Sequence, residues 1–311
     1  MFESIRDDVR SGATDLTRRA ALEIAAWAEH SPAADPGDFW SEVTSVCRDL
    51  VRAKRGMAPL VNLASRVLAA AERTVLSGRA PDTARRAVAL EATRTVESAA
   101  ADLERLGAVG ATIVPADATL ATVSASESVA AVLAAAQEAQ KEVTVLLSES
   151  RPAREGLGFA ARLASRGIAA TLVVDAALPR LVARADIVLV GADTVSEDDF
   201  VNKVGTYSLA LAAREAGVPV YVAALLDKFL PRALRGSPGP SGEDAGAFGE
   251  APPGVRVEDH FLETVPLSLV RGIITERAII GPSDLPATLA TRPIAPALLP
   301  LIFPRVRGHP R

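Results

Sequence analysis

Residues 184–231 read RADIVLVGADTVSEDDFVNKVGTYSLALAAREAGVPVYVAALLDKFLP, and this stretch decides the fold. Ile187 to Val190 form an unbroken apolar run, entered at Asp186 and stopped by Gly191. A short run of this kind is the pattern of a strand buried on both faces of a parallel sheet. A polar turn is expected next, with Asp193 at the strand's end. Asn202-Lys203 and Gly205-Thr206 follow just where a helical pattern over Tyr207–Ala216 begins. Open α/β sheets bind ligands at the carboxyl ends of their strands, so carboxylate, amide, ammonium and hydroxyl converge on one crevice. A helix N-terminus facing that crevice favours an anion such as a phosphate.

Outward from this stretch the chain divides in texture near Gly107. After it, short apolar runs over Ala111–Val114, Thr119–Val123, Val143–Leu147, Ala170–Val174 and Val218–Ala223 are expected as further strands. Helical patterns over Ser126–Gln140 and Gly156–Ser165 fill the gaps, and strand–helix alternation implies parallel βαβ units in a doubly wound sheet. Before Gly107 the spacing is helical throughout: Ile5–Glu29 with a break at Ser11-Gly12-Ala13, then Phe39–Leu50 capped by Asp38, and Thr83–Leu106. The expected class is therefore α/β, with a helical N-terminal domain (1–106) and a Rossmann-like doubly wound parallel sheet (107–291). Within the latter, 235–254 has the Gly, Pro and Ser content of a flexible loop. The Pro-rich tail 292–311 reads as an extension outside the core.

Composition bounds the function. The chain has 311 residues, 49% of them apolar, which suffices for a substantial core. A net charge of −4 argues against a general nucleic-acid or membrane-surface binder. Met1–Arg10 is charged and lacks the apolar core of a signal peptide, and no apolar run approaches the roughly 18 residues of a membrane span. A cytoplasmic protein is expected. The single cysteine, Cys47, excludes an intramolecular disulfide and a cysteine-based metal cluster, and its apolar neighbours favour a buried, inert thiol. No metal and no cofactor are expected.

GAD at 191–193, NKVGT at 202–206 and DKF at 227–229, in this order and spacing, resemble the initiation factor 2B alpha, beta and delta subunit family. That family also holds isomerases of methylthioribose-1-phosphate and ribose-1,5-bisphosphate. Other segments share the resemblance: SGATDL (11–16), KRGMAPLVNLASRVL (54–68), SESRPAREG (148–156) and FLETVPLSLVRGIITERAII (261–280). It implies that Ser11, Gly12 and Ala13 lie beside a sugar phosphate, whereas spacing alone favours a helix junction at Gly12. It also implies phosphate-binding roles for Arg55, with its planar fork, and for Arg151, whose other reading is structural. Asn202, Lys203 and Lys228 match unchanged and are expected on hydroxyl and phosphate oxygens. Ser126 and Ser128 open the helix after the second strand, where N-capping and phosphate donation are both open to them.

Two segments depart from the family pattern where the chemistry is expected. An aldose–ketose isomerisation of a sugar 1-phosphate needs an acid for the ring oxygen and a base for the carbon-bound proton. The resemblance gives the acid role to Asp193 and the base role to a cysteine in a Leu-Thr-His-Cys segment, but here LATVSASESV (120–129) places Ser124 at that cysteine and Val123 at the histidine. A thiol near pKa 8.5 supplies thiolate after modest tuning, whereas a serine alkoxide is negligibly populated without an adjacent base. The second departure is Glu155, which replaces the usual Gln and adds negative charge near an expected phosphate. Ser124 points to binding of a phosphorylated sugar or nucleotide monophosphate without isomerisation. The alternative is an isomerase with an altered base, supplied by Glu127 or Glu155. The resemblance also implies a homodimer, with related subunits as further partners.

Overall fold

The structure, a computed structural model, describes residues 1–8, 11–235, 252–258, 260–292 and 294–303. In chain order the helices and strands are α1 (Glu3–Arg6), α2 (Ala13–His30), α3 (Pro36–Ala53), α4 (Ala58–Leu76), α5 (Pro81–Ala111), β1 (Ala118–Thr122), α6 (Glu127–Glu138) and β2 (Val143–Ser148). There follow α7 (Glu155–Ser165), β3 (Ala169–Val173), α8 (Leu178–Leu181), β4 (Ile187–Gly191), β5 (Thr194–Val195), β6 (Asp199–Lys203), α9 (Thr206–Ala216) and β7 (Val220–Ala223). The last are β8 (Leu262–Pro266), β9 (Gly272–Ile274), β10 (Ile279–Ile280), α10 (Leu285–Ala290) and α11 (Leu299–Ile302). The chain groups into two compact units: Met1–Ala100 with 233–236 and 290–311, and Ala101–Arg232 with 237–289.

The first unit is helical. Phe39, Val43, Cys47 and Leu50 recur one helical turn apart on α3 and are all fully buried, as are Leu60, Leu63, Val67 and Leu68 on α4. Each such side chain contributes about 1.5–3 kcal/mol of burial. Helix α3 begins one turn earlier than its apolar pattern implies, because Pro36 supplies a preset first turn. The cap is consequently Asp35, whose Oδ1 accepts the amides of Gly37 and Asp38 at 2.8 and 2.9 Å, and not Asp38. The described part of the Pro-rich tail is no free extension. Ala295, Leu298 and Leu301 are buried, the Ala295 amide donates to Ser65 Oγ at 2.8 Å, and α11 packs on α3.

The second unit is built on a seven-stranded sheet in the order β10-β9-β7-β4-β1-β2-β3, parallel except for β10. Strand β4 shows why both faces are covered. Val188 and Val190 join one apolar cluster with Leu209, Ala210 and Ala213 of α9, while Ile187 and Leu189 join another with Val129, Val132 and Leu133 of α6. This is the doubly wound arrangement expected from the alternating pattern. The run Ala111–Val114 is not a strand, however: α5 continues through Ala111 and ends in turns closed by the amides of Ile113 and Val114.

A second, three-stranded antiparallel sheet, β5-β6-β8, interrupts the parallel order after β4. Residues 199–203, expected as a polar turn, are strand β6, paired with β5 on one side and with β8 on the other. All five are buried. The expected flexible loop lies, over 236–251, outside the described residues.

Candidate functional site

The strand order reverses direction between β1 and β4. From β1 the chain winds outward through β2 and β3, and from β4 it winds the other way through β7 and β9. Such a switch point leaves a crevice at the carboxyl ends of the two central strands. Here the flanking loops are Val123–Ser126 after β1 and Ala192–Asp193 after β4. They are in close contact, since a Cβ on Gly191 would stand 2.5 Å from Ser126 Oγ. Ser126 is the N-cap of α6, accepting the Val129 amide at 3.4 Å, so its capping role holds. Ser128 is buried with its Oγ unpartnered among the described residues, as is Thr122 Oγ1 at the end of β1.

Ser124 and Glu155, one departure from each of the two segments, touch. Ser124 Oγ donates to Glu155 Oε1 at 2.8 Å, and Lys203 Nζ lies 2.9 Å from the same oxygen. The charge that Glu155 adds is thus met by Lys203, which is 5% exposed and stands over the Phe261 ring at 4.9 Å. Glu155 Oε2 is buried and has no partner among the described residues.

The loop that carries Glu155 is held tightly. Ser124 and Ser150 both adopt left-handed backbone, φ 67° and 65°, and the Ser124 amide donates to Ser150 Oγ at 2.8 Å. The amides of Ser150 and Arg151 donate to the two carboxylate oxygens of Asp175, each at 2.8 Å. Left-handed non-glycine residues persist only where the surroundings enforce them, and they cluster at functional sites. The Arg151 side chain is exposed at the surface of this loop.

Asp193 is half-buried at the end of β4, and its amide donates to Val201 O at 2.8 Å. The β5–β6 register, Thr194 opposite Val201, carries Asp193 to the position facing Asn202. Asn202 Nδ2 donates to Thr206 Oγ1 at 2.9 Å, and Thr206 Oγ1 donates to Lys203 O at 2.6 Å. The N-terminus of α9 is not the anion site that the sequence pattern suggests. Glu263 Oε1 accepts the Tyr207 amide at 2.7 Å, and the amides of Gly205 and Thr206 also bond to that side chain. Burial pushes the Glu263 carboxyl up, and the three amides oppose this. A carboxylate of the chain itself therefore fills the place reserved for a phosphate.

Lys228 follows β7 in a short 3-10 turn. Its neighbours Phe229 and Leu230 bridge to Val195, which sets it beside the hairpin that begins at Asp193. Lys228 is 5% exposed, and its ammonium has no hydrogen-bond or ion-pair partner among the described residues.

The remaining expected residues belong to the first unit. Ser11 donates from amide and hydroxyl to the Asp8 carboxylate at 2.8 and 2.7 Å, Gly12 precedes α2, and Ala13 is its buried first residue. Arg55 is exposed in the turn after α3. Beside it, burial lowers the affinity of Lys54 for its proton, against the attraction of Asp8 and Asp7. Cys47 is fully buried, and its Sγ donates to Ala64 O at 3.7 Å. Burial pushes its thiol far up, so the one cysteine of the chain offers no thiolate. Ser150, Asp175, Phe261 and Glu263 were not singled out individually by the motifs, although SESRPAREG and FLET contain three of them.

Fold and crevice define the class: a doubly wound α/β protein with a polar site at the strand switch point, next to an antiparallel hairpin. The chain belongs to the initiation factor 2 subunit family, whose family model matches residues 9–282. It is 32% identical over 272 residues to a Pyrococcus horikoshii protein named putative translation initiation factor eIF-2B subunit 2-like, covering 87% of this chain and 91% of that one. It is also 30% identical over 286 residues to an Archaeoglobus fulgidus protein named ribose 1,5-bisphosphate isomerase, covering 90% and 88%. Among solved structures it is similar to the translation initiation factor eIF-2B of Pyrococcus horikoshii, with a TM-score of 0.77, 27% identity and coverage of 90% and 95%. Among the described residues no helix is long and apolar enough to cross a membrane.

Proposed function

We propose that this chain binds a phosphorylated ribose in the switch-point crevice and converts it from aldose to ketose. The carrying observation is Lys228, a residue 5% exposed whose ammonium has no anionic partner among the described residues. A cation held on a largely buried side chain without a protein anion suits a phosphate oxygen as its partner. Asn202 then addresses sugar hydroxyls, and Asp193, facing it across the hairpin, is the acid for the ring oxygen. The relatives named ribose 1,5-bisphosphate isomerase support this substrate class. On this reading the chain acts in the cytoplasm as a homodimer, with Arg151 as a further phosphate contact.

A second reading, binding without turnover in a complex with related subunits, is favoured by the serine at position 124 and by the relatives named for translation initiation. Both readings require the ligand. Calorimetric titration with ribose 1,5-bisphosphate should give saturable binding that inorganic phosphate does not reproduce, and Lys228→Met should weaken it roughly ten- to a hundredfold, the worth of one charge-assisted hydrogen bond. Absence of saturable heat for ribose 1,5-bisphosphate, methylthioribose 1-phosphate and a nucleoside monophosphate alike contradicts both.

A further inference from the structure

We infer that Glu155 is the base that takes the carbon-bound proton, with Ser124 as the residue that positions it; this rests on the isomerase reading of the site. Three observations converge. The first is supply: Cys47 is buried with its thiol held protonated, His30 bonds to Ala26 O on α2, and His260 lies beside Glu258. Among the described residues, Glu155 is the carboxyl group in hydrogen-bond contact with Ser124. The second is orientation. Ser124 Oγ and Lys203 Nζ both bind Oε1, at 2.8 and 2.9 Å, which leaves Oε2, buried and unpartnered among the described residues, as the free acceptor. The third is rigidity, since Gly156 packs against Ser148 O and the amides of Ser150 and Arg151 are clamped by Asp175.

The serine and the glutamate thus form one replacement and not two independent losses. In the family pattern a thiol stands at position 124 and a neutral amide at 155. Here the hydroxyl keeps the hydrogen bond and the carboxylate takes over the proton transfer. A carboxylate is an adequate base for an enediol-type isomerisation when the site is closed to water.

The step balances without a co-reactant. Asp193 donates its proton to the ring oxygen as the C1–O bond breaks, and Glu155 removes the proton on C2, whose electron pair forms the C1–C2 double bond. Glu155 then returns a proton to C1 while the C2 hydroxyl gives its proton to the Asp193 carboxylate. The ketone forms and both acids are reset.

The test is steady-state turnover of ribose 1,5-bisphosphate by the full-length protein, its Glu155→Gln variant and the Ser124→Cys/Glu155→Gln double variant, with binding measured alongside. Turnover in the native protein, a loss of roughly a hundred- to ten-thousandfold in Glu155→Gln with affinity kept within a few-fold, and recovery in the double variant are the expected results. Native turnover with Glu155→Gln within tenfold of it overturns the base assignment and leaves the isomerase reading intact. Absence of native turnover overturns both. Because Gln leaves Lys203 without its anion, a measurement independent of folding is added: the pH profile of native kcat. Its acidic limb should fall in the carboxylate range, with that of the double variant moved toward the thiol range near 8.5. A native limb already in the thiol range contradicts the proposal.

Discussion

Asp193→Asn should turn over ribose 1,5-bisphosphate roughly a hundred- to ten-thousandfold more slowly than the native protein, while binding it with an affinity changed by no more than a few-fold. The amide matches the carboxylic acid in shape but has no acidic proton for the ring oxygen, and loss of a positioned general acid has this size. Position and geometry support the contrast between rate and affinity. The Asp193 backbone is fixed by its amide bond to Val201 O, and the hairpin register that faces it toward Asn202 does not depend on the side chain. Initial rates and calorimetric affinities on one preparation check this. A rate within tenfold of native removes Asp193 from the chemistry.

Gly156→Ala carries the largest expected structural effect. A Cβ there would lie 1.9 Å from Ser148 O and 3.0 Å from the carbonyl of Glu149, and both obstacles are backbone. Neither can rotate away, so the α7 N-terminus must shift off the end of β2, at a cost of about 3 kcal/mol or more. For a unit of this size that lowers the melting temperature by roughly 6–12 °C. The same shift carries Glu155 away from Ser124 and Lys203, so turnover should fall with stability. Gly158 is the control two residues on. It is exposed on α7, and a methyl group added there would meet nothing within 4 Å, so Gly158→Ala should stabilise by about 0.5–1 kcal/mol through helix propensity. Thermal melts of the two variants check the pair, and equal melting temperatures would show that α7 does not abut β2 as described.

What the sequence made legible was the part governed by local pattern. The apolar run Ile187–Val190 identified a strand buried on both faces, and Ser126 read as a cap because capping is decided within one turn. The family motifs brought Asn202, Lys203, Lys228 and Asp193 together as candidates. What stayed hidden depends on partners distant in the chain. The segment DFVNK looks like a turn because its acidic start and short length outweigh Phe200 and Val201, and only the ladder to β8 makes it a strand. The same ladder brings Glu263 to the α9 N-terminus and so removes the anion site expected there. The sequence pattern places the cap at Asp38 because the apolar rhythm starts at Phe39, whereas the helix starts at Pro36 and its cap is Asp35. The contact between Ser124 and Glu155 joins residues on two different crossovers of the sheet. Sequence motifs named both as departures, and only the fold makes them neighbours.

The measurement that tests the central claim most directly follows [1-¹³C]ribose 1,5-bisphosphate by carbon NMR in the presence of the native full-length protein. The anomeric carbon signal should give way to that of a phosphorylated CH₂ group, as C1 gains a hydrogen and the carbonyl appears at C2. An anomeric signal that persists unchanged, under conditions where titration shows the sugar bound, would contradict the isomerase account and leave a site that holds its ligand without reaction.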